Sequence, residues 1–189
     1  MTWYEVVGGD ELMQCDLIPG VEVPVLAVSP FEIAEGDEPS FELLRMNAMV
    51  LTQTCDLLQG KQGNAIVAPY HSWQEIVEQD QLTNGDRRRK EQAMIRKGAR
   101  PHYSLLPEHD EGLIPYSVVD FRQLHTVAIN YLRQVAVAAG ERIRVQSPYR
   151  EGISHHFAQY FSRVAVPDEG VDFDKWNPPP PPDEVGGAG

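Results

Sequence analysis

Apolar residues along this chain gather in short runs broken by Gly, Pro and small polar clusters, not in long amphipathic stripes. Residues 21–28 (VEVPVLAV) read as a strand, which Pro24 makes an edge or irregular one. Residues 41–54 predict a long extended stretch whose most buried part is MVLT, with a strand at 48–54. Segments 65–69, 116–121 and 142–145 add three short strands. Such strands, with no regular strand–helix alternation, favour a barrel over a doubly wound sheet.

Helical spacing is confined to four segments. Residues 72–80 and 86–97 predict a helical pair, separated by the turn signal Asn84-Gly85 and inserted between two strands. Residues 130–139 predict a helix closed by Gly140. The clearest helix covers 147–163, with Ser147 as N-cap and Pro148 in the first turn. Its stripe of Tyr149, Ile153, Phe157, Tyr160, Phe161 and Val164 should close the core. The expected fold is therefore mainly β (α+β): a barrel-like domain over 1–164, a helical insertion at about 73–100 and a packed C-terminal helix.

Composition changes this picture at two places. The 189 residues carry a net charge of −12, which argues against nonspecific nucleic-acid binding by the whole surface. Yet Arg87, Arg88, Arg89, Lys90, Arg96, Lys97 and Arg100 lie within fourteen positions, opposed there only by Glu91. The reading is either a phosphate grip or a solvated helix face. Residues 165–189 are the opposite extreme, with six carboxylates against Lys175 and five consecutive prolines at 178–182. They predict an extended acidic appendage. No apolar run approaches a membrane span, and the acidic opening lacks a secretory pattern, so a cytoplasmic setting is expected.

Candidate chemistry is sparse. No Walker loop, G-x-G-x-x-G, G-x-S-x-G, C-x-x-C or H-x-x-x-H spacing occurs, so no cofactor or metal is expected. Two Cys-Asp-Leu segments, at 15–20 and 55–60, both end in glycine and suggest shared turn chemistry. In the strand register at 51–56, Leu51, Gln53 and Cys55 share one face and Thr52, Thr54 and Asp56 the other. Gln53, Thr54, Cys55 and Asp56 are candidate lining residues of a cleft near 69–72. They equally suit the polar side chains of a turn. Cys55, with no neighbouring cation in sequence, is expected to be mostly buried and unreactive. A nucleophile role would need His71 or His102 beside it.

The order of MVLTQT, AIVAPYHS and YSVVDFRQLHTVAINYLR resembles the PemK/MazF-like toxins, with Ser117–Arg133 the best local match and 80 to 90 residues covered. The resemblance implies an SH3-like barrel and cleavage of RNA. That family's Arg-Pro pair falls here on Asn47-Ala48, with Arg45 the nearest guanidinium, and its threonine falls on His71, followed by Ser72. Arg45, His71 and Ser72 are thus the catalytic candidates, with the 87–100 cations as the nucleic-acid grip. Gln53-Thr54-Cys55-Asp56 and Ser147-Pro148-Tyr149-Arg150-Glu151 also resemble motifs of a bacterial protein group with no assigned activity. Two classes are open: an RNA-directed enzyme or RNA binder, and a noncatalytic barrel that serves as an interaction subunit. The partner would be RNA or an acidic protein, with no membrane. A homodimer is compatible with either class.

Overall fold

The apolar run at 48–51 is buried on both sides, and the layers of the fold follow from that. Ala48 and Val50 pack with Val67, Val127, Leu132 and Ala136. Met49 and Leu51, pointing the other way as strand geometry requires, pack with Leu17, Ala68, Val119 and Ile153. A strand covered on both faces reads as continuous hydrophobicity, not as alternation.

The computed structural model describes residues 2–27, 38–60, 62–82 and 84–162. Val28, Val164 and the expected appendage at 165–189 lie outside them. Eight strands are present among these residues: β1 (Tyr4–Val7), β2 (Asp16–Leu26), β3 (Phe41–Val50), β4 (Asn64–Ser72), β5 (Tyr103–Leu106), β6 (Ser117–Asp120), β7 (His125–Ala128) and β8 (Arg142–Val145). Five helices join them: α1 (Thr54–Leu58), α2 (Trp73–Gln79), α3 (Gly85–Arg96), α4 (Ile129–Ala139) and α5 (Tyr149–Phe161). The chain is mixed α/β, with nearly as many residues in helices as in strands.

The strand order is β1-β8-β2-β3-β4-β6-β5, with β7 on β4, and every pairing is antiparallel. β1 and β5 stand at opposite ends of the order and do not pair, so the sheet is open. Helix α4 covers one face through Leu132 and Ala136. Helix α5 covers the other through Ile153, with Tyr149, Phe157 and Tyr160 against the same cluster, so this part of the expected stripe does pack. Phe161 is 53% exposed instead. The N-cap position falls on Pro148, one residue later than expected, and no side chain caps it.

Between β4 and β5 the expected insertion is helical. Ser72 and Glu75 form a reciprocal capping box that starts α2. Asn84 accepts from the Asp86 amide (2.8 Å) to start α3. Ile76 and Ile95 pack on Tyr103 and Val118, seating both helices on the β5–β6 end of the sheet. The extended reading of 51–56 is corrected: β3 ends at Val50, and α1 begins at Thr54. Asp56 and Leu57 stand four and three residues before Gly60, whose φ of 61° ends the turn after α1. Turn chemistry thus beats strand propensity there.

The opposite end is held by a buried charge cluster. Asp16 is 0% exposed and faces Arg144 across the β2–β8 pair. Arg142 Nε donates to Asp16 Oδ2 (3.0 Å), and Arg144 donates through Nη2 (3.0 Å) and Nε. The two guanidinium groups also bind the Gly9 carbonyl (2.9 Å, from Arg142) and the Glu11 carbonyl. Removing one member leaves uncompensated buried charge, which costs about 3–5 kcal/mol. Asp16→Ala is expected to lower unfolding stability by that amount in urea denaturation. A loss below about 1 kcal/mol would show that water replaces the carboxylate.

Candidate functional site

A kink in the β2–β3 pair creates a wide cleft. The register slips between Ile18 and Val21, so Pro19 and Gly20 together oppose Asn47. Gly20 has φ 70°, and its amide donates to Asn47 Oδ1 (3.4 Å). A Cβ there would lie 3.2 Å from the Arg45 guanidinium, so glycine serves both the backbone conformation and the approach of Arg45. Tyr131 of α4 braces the bulge by accepting from the Glu22 amide (3.0 Å).

The resulting cleft has a volume of about 950 Å³. Its walls are the bulge with Arg45, the last turns of α4, and the end of β4 with Glu75 of α2. Arg45 and His71, which come from different strands, both line it. Arg45 is exposed, faces Glu22 in the register and makes no ion pair among the described residues. His71 is partly buried, and its Nε2 is shielded from solvent with no hydrogen-bond partner among the described residues. A shielded polar atom left in this state costs about 1–3 kcal/mol. Burial first, and the Glu75 carboxylate second, push the neighbouring Tyr70 phenol up to about 12, so it faces the cleft as a neutral O–H.

Ser72 does not share this cleft. Its Oγ accepts from the Glu75 amide (3.1 Å), and its own amide donates to Glu75 Oε2 (2.6 Å). The side chain adjoining His71 in sequence is thus a helix cap.

Gln53, Thr54, Cys55 and Asp56 also lie away from it: none lines the cleft walled by Pro69 and His71. Gln53 borders a different groove, of about 440 Å³, with Leu51, Leu124 and the α5 residues Phe157 and Phe161. Thr54 Oγ1 accepts from the Gln14 amide (3.1 Å), while Gln14 Nε2 donates to the Leu51 carbonyl (2.8 Å). Asp56 and Cys55 lie on α1, with Cys55 Sγ 3.8 Å from Asp56 Oδ1 and 3.6 Å from Gln53 Oε1. Cys55 is exposed, contrary to expectation, because the helical turn carries it off the strand face.

Its sequence echo Cys15 is the buried thiol, at φ 65° between the Val50 carbonyl and the Val145 amide. The two segments share a closing glycine at positive φ, but Asp16 is in the buried charge cluster and Asp56 is on a surface turn.

The basic segment forms a third location. Arg87, Arg88, Arg89, Lys90, Arg96 and Lys97 are exposed on or at the end of α3. Arg88 Nε donates to the Leu82 carbonyl (2.5 Å), and Arg89 lies 3.7 Å from Asp86. Arg100 is committed to Glu91 through two hydrogen bonds, which hold the Glu91 carboxyl below its usual range. None of the seven lines the cleft.

Among the described residues no group of three or more His, Cys, Asp or Glu could hold a metal ion, and no helix is long and apolar enough to cross a membrane. Comparison with protein-family models, curated proteins and solved structures yields no match. The bracing role of Tyr131 and the cleft positions of Glu75 and Gln123 escaped the sequence reading, since no local spacing ties them to a bulge so distant in sequence.

The two thiols provide a check on this geometry. Burial pushes the Cys15 thiol up to about 12, so it has neither access nor thiolate character. A disulfide reagent at neutral pH is expected to titrate one thiol per native chain, abolished by Cys55→Ser, and a second only after unfolding. Two thiols reacting at similar rates in the native chain would contradict the placement of Cys15.

Proposed function

We propose that the chain binds RNA at the Arg45–His71 cleft and directs cleavage through the 2′-hydroxyl. The observation that carries this reading is the convergence of an unpaired guanidinium and an imidazole, from separate strands, in one cleft. Arg45 would bind the phosphate as a planar charge donor. His71 would take the 2′-hydroxyl proton at Nδ1, its Nε2 being shielded, as the freed oxygen attacks phosphorus. The bond to the 5′-oxygen then breaks, leaving a 2′,3′-cyclic phosphate, and the leaving oxygen takes a proton from water. Arg45 would neutralise the charge that builds on the phosphoryl oxygens. The cations of α3, outside the cleft, would hold flanking phosphates. The likeness to PemK/MazF-like barrels, and the SH3-like barrel it implies, belong to the same proposal. An overall charge of −12 confines RNA to these local positive sites.

A second reading, an interaction subunit without catalysis, is favoured by the β2–β3 ribbon. β2 meets β8 only at Asp16 and Leu17, and β3 meets β4 only from Ala48 onward. The outer ribbon therefore has no flanking strand among the described residues. Leu26 pairs with Phe41 and Pro24 with Leu43, so the four share one face, and Phe41 and Leu43 are 62% and 68% exposed. Such a face suits a protein partner.

RNA binding and turnover separate the two readings. With a short, labelled single-stranded RNA, Arg45→Ala is expected to weaken binding about tenfold or more, roughly 1.4 kcal/mol. His71→Gln should leave binding nearly intact and lower cleavage by about 10²–10⁴. Ser72→Ala should change neither, costing only about 1 kcal/mol of stability through the lost cap. No RNA binding by the wild-type chain, or binding indifferent to Arg45→Ala, would overturn the first reading in favour of the second.

A further inference from the structure

We infer that the outer surface of α3 is the docking site for the acidic segment 168–174 of the same chain. Arg87, Lys90, Arg96 and Lys97 are exposed and have no ion-pair partner among the described residues. Arg87, Lys90 and Lys97 recur at helical spacing and lie along one flank of the helix. Asp168, Glu169, Asp172 and Asp174 lie within seven positions with no cation between them. Sign and density therefore match.

Position and length match as well. The described chain leaves α5 beside the end of α3: a crevice of about 320 Å³ has Gly98 and Pro101 on one wall and His156, Gln159 and Tyr160 on the other. Gly98 directly follows Lys97, and Ser162 follows the last turn of α5. The six residues from Ser162 to Asp168 can span up to about 20 Å, enough to pass from this crevice onto the helix. Twelve residues of α3 make a rod of about 18 Å, and any seven residues of chain can reach at most about 20 Å, so the lengths are compatible. Each exposed pair is weak, but tethering gives the segment a high effective concentration, and several pairs act together. The contact rests on charge alone and does not depend on what the cleft binds.

Carbodiimide coupling of carboxylates to lysines in the full-length chain reads the contact directly. At about 20 mM salt, peptide mapping is expected to find Lys90 or Lys97 joined to residues 168–174 within single chains, independent of protein concentration. At about 500 mM salt the yield should fall roughly fivefold or more. Arg87→Glu with Arg96→Glu keeps both lysines available and should lower the yield comparably at low salt. A circular dichroism spectrum unchanged from wild type will show that α3 is intact in that variant. Coupling absent at low salt, or equal in the charge-reversed chain, or formed only between chains, would overturn the proposal. An RNA-binding measurement does not enter this test, so its outcome stands apart from the reading of the cleft.

Discussion

One carboxylate, Asp16, determines how the beginning and end of the sheet meet. It lies with no solvent exposure between Arg142 and Arg144, which reach it from β8 while also binding the carbonyls of Gly9 and Glu11. Taking these charges out of water is expensive, and the arrangement persists because nearly every donor has an acceptor. β8 is thereby held to β2, β1 is carried on β8, and the 9–16 connection is drawn inward. An apolar trio could supply comparable stability. What the ions add is directionality: the bonds exist only in the register that places Asp16 opposite Arg144.

The same sheet explains why the cleft is where it is. β2 and β3 are regular near β8, then slip at Pro19–Gly20; beyond the slip Val21, Val23 and Met46 still pack with Leu132 and Ala136 of α4, while no residue of the ribbon joins the α5 cluster. Arg45 stands at this transition, next to the bulge and two residues from exposed Leu43. The cleft and the bare ribbon are thus two results of one irregularity. A charged group at such a boundary is exposed and uncommitted, a setting suited to a ligand's charge.

Periodicity made much of the framework legible. Segments 65–69, 116–121, 130–139 and 142–145 fall within or close to observed elements, since patterned runs bounded by Gly or Pro leave little choice of conformation. β1, β5 and β7 are as short as β6 and β8 and went unseen; it is pairing with β8, β6 and β4 that makes them strands. Residues 51–56 misled because VLTQTCD favours extension locally, while α1 needs Leu57 in the core, a requirement visible only in three dimensions. At the site, Arg45 and His71 were placed through a resemblance, and their meeting in one cleft could not be read from spacing. Ser72 caps α2 and does not line the cleft, and the Ser-x-x-Glu pattern ahead of an apolar helix is a cap signature that the sequence already carries.

The separation of Asp16 from its partners also matters while the chain is being made. Arg142 follows it by 126 residues. At about 5–20 residues per second, β2 emerges and then waits about 6–25 s for the guanidinium groups that will neutralise it. During that interval the apolar strand Leu17–Ile18 carries an ionised, hydrated carboxylate at its head, which disfavours premature pairing with other nascent strands. A residue fully buried in the finished sheet is therefore also the one that keeps this strand soluble beforehand. A hydrophobic replacement of equal folded stability would lose that protection at the ribosome.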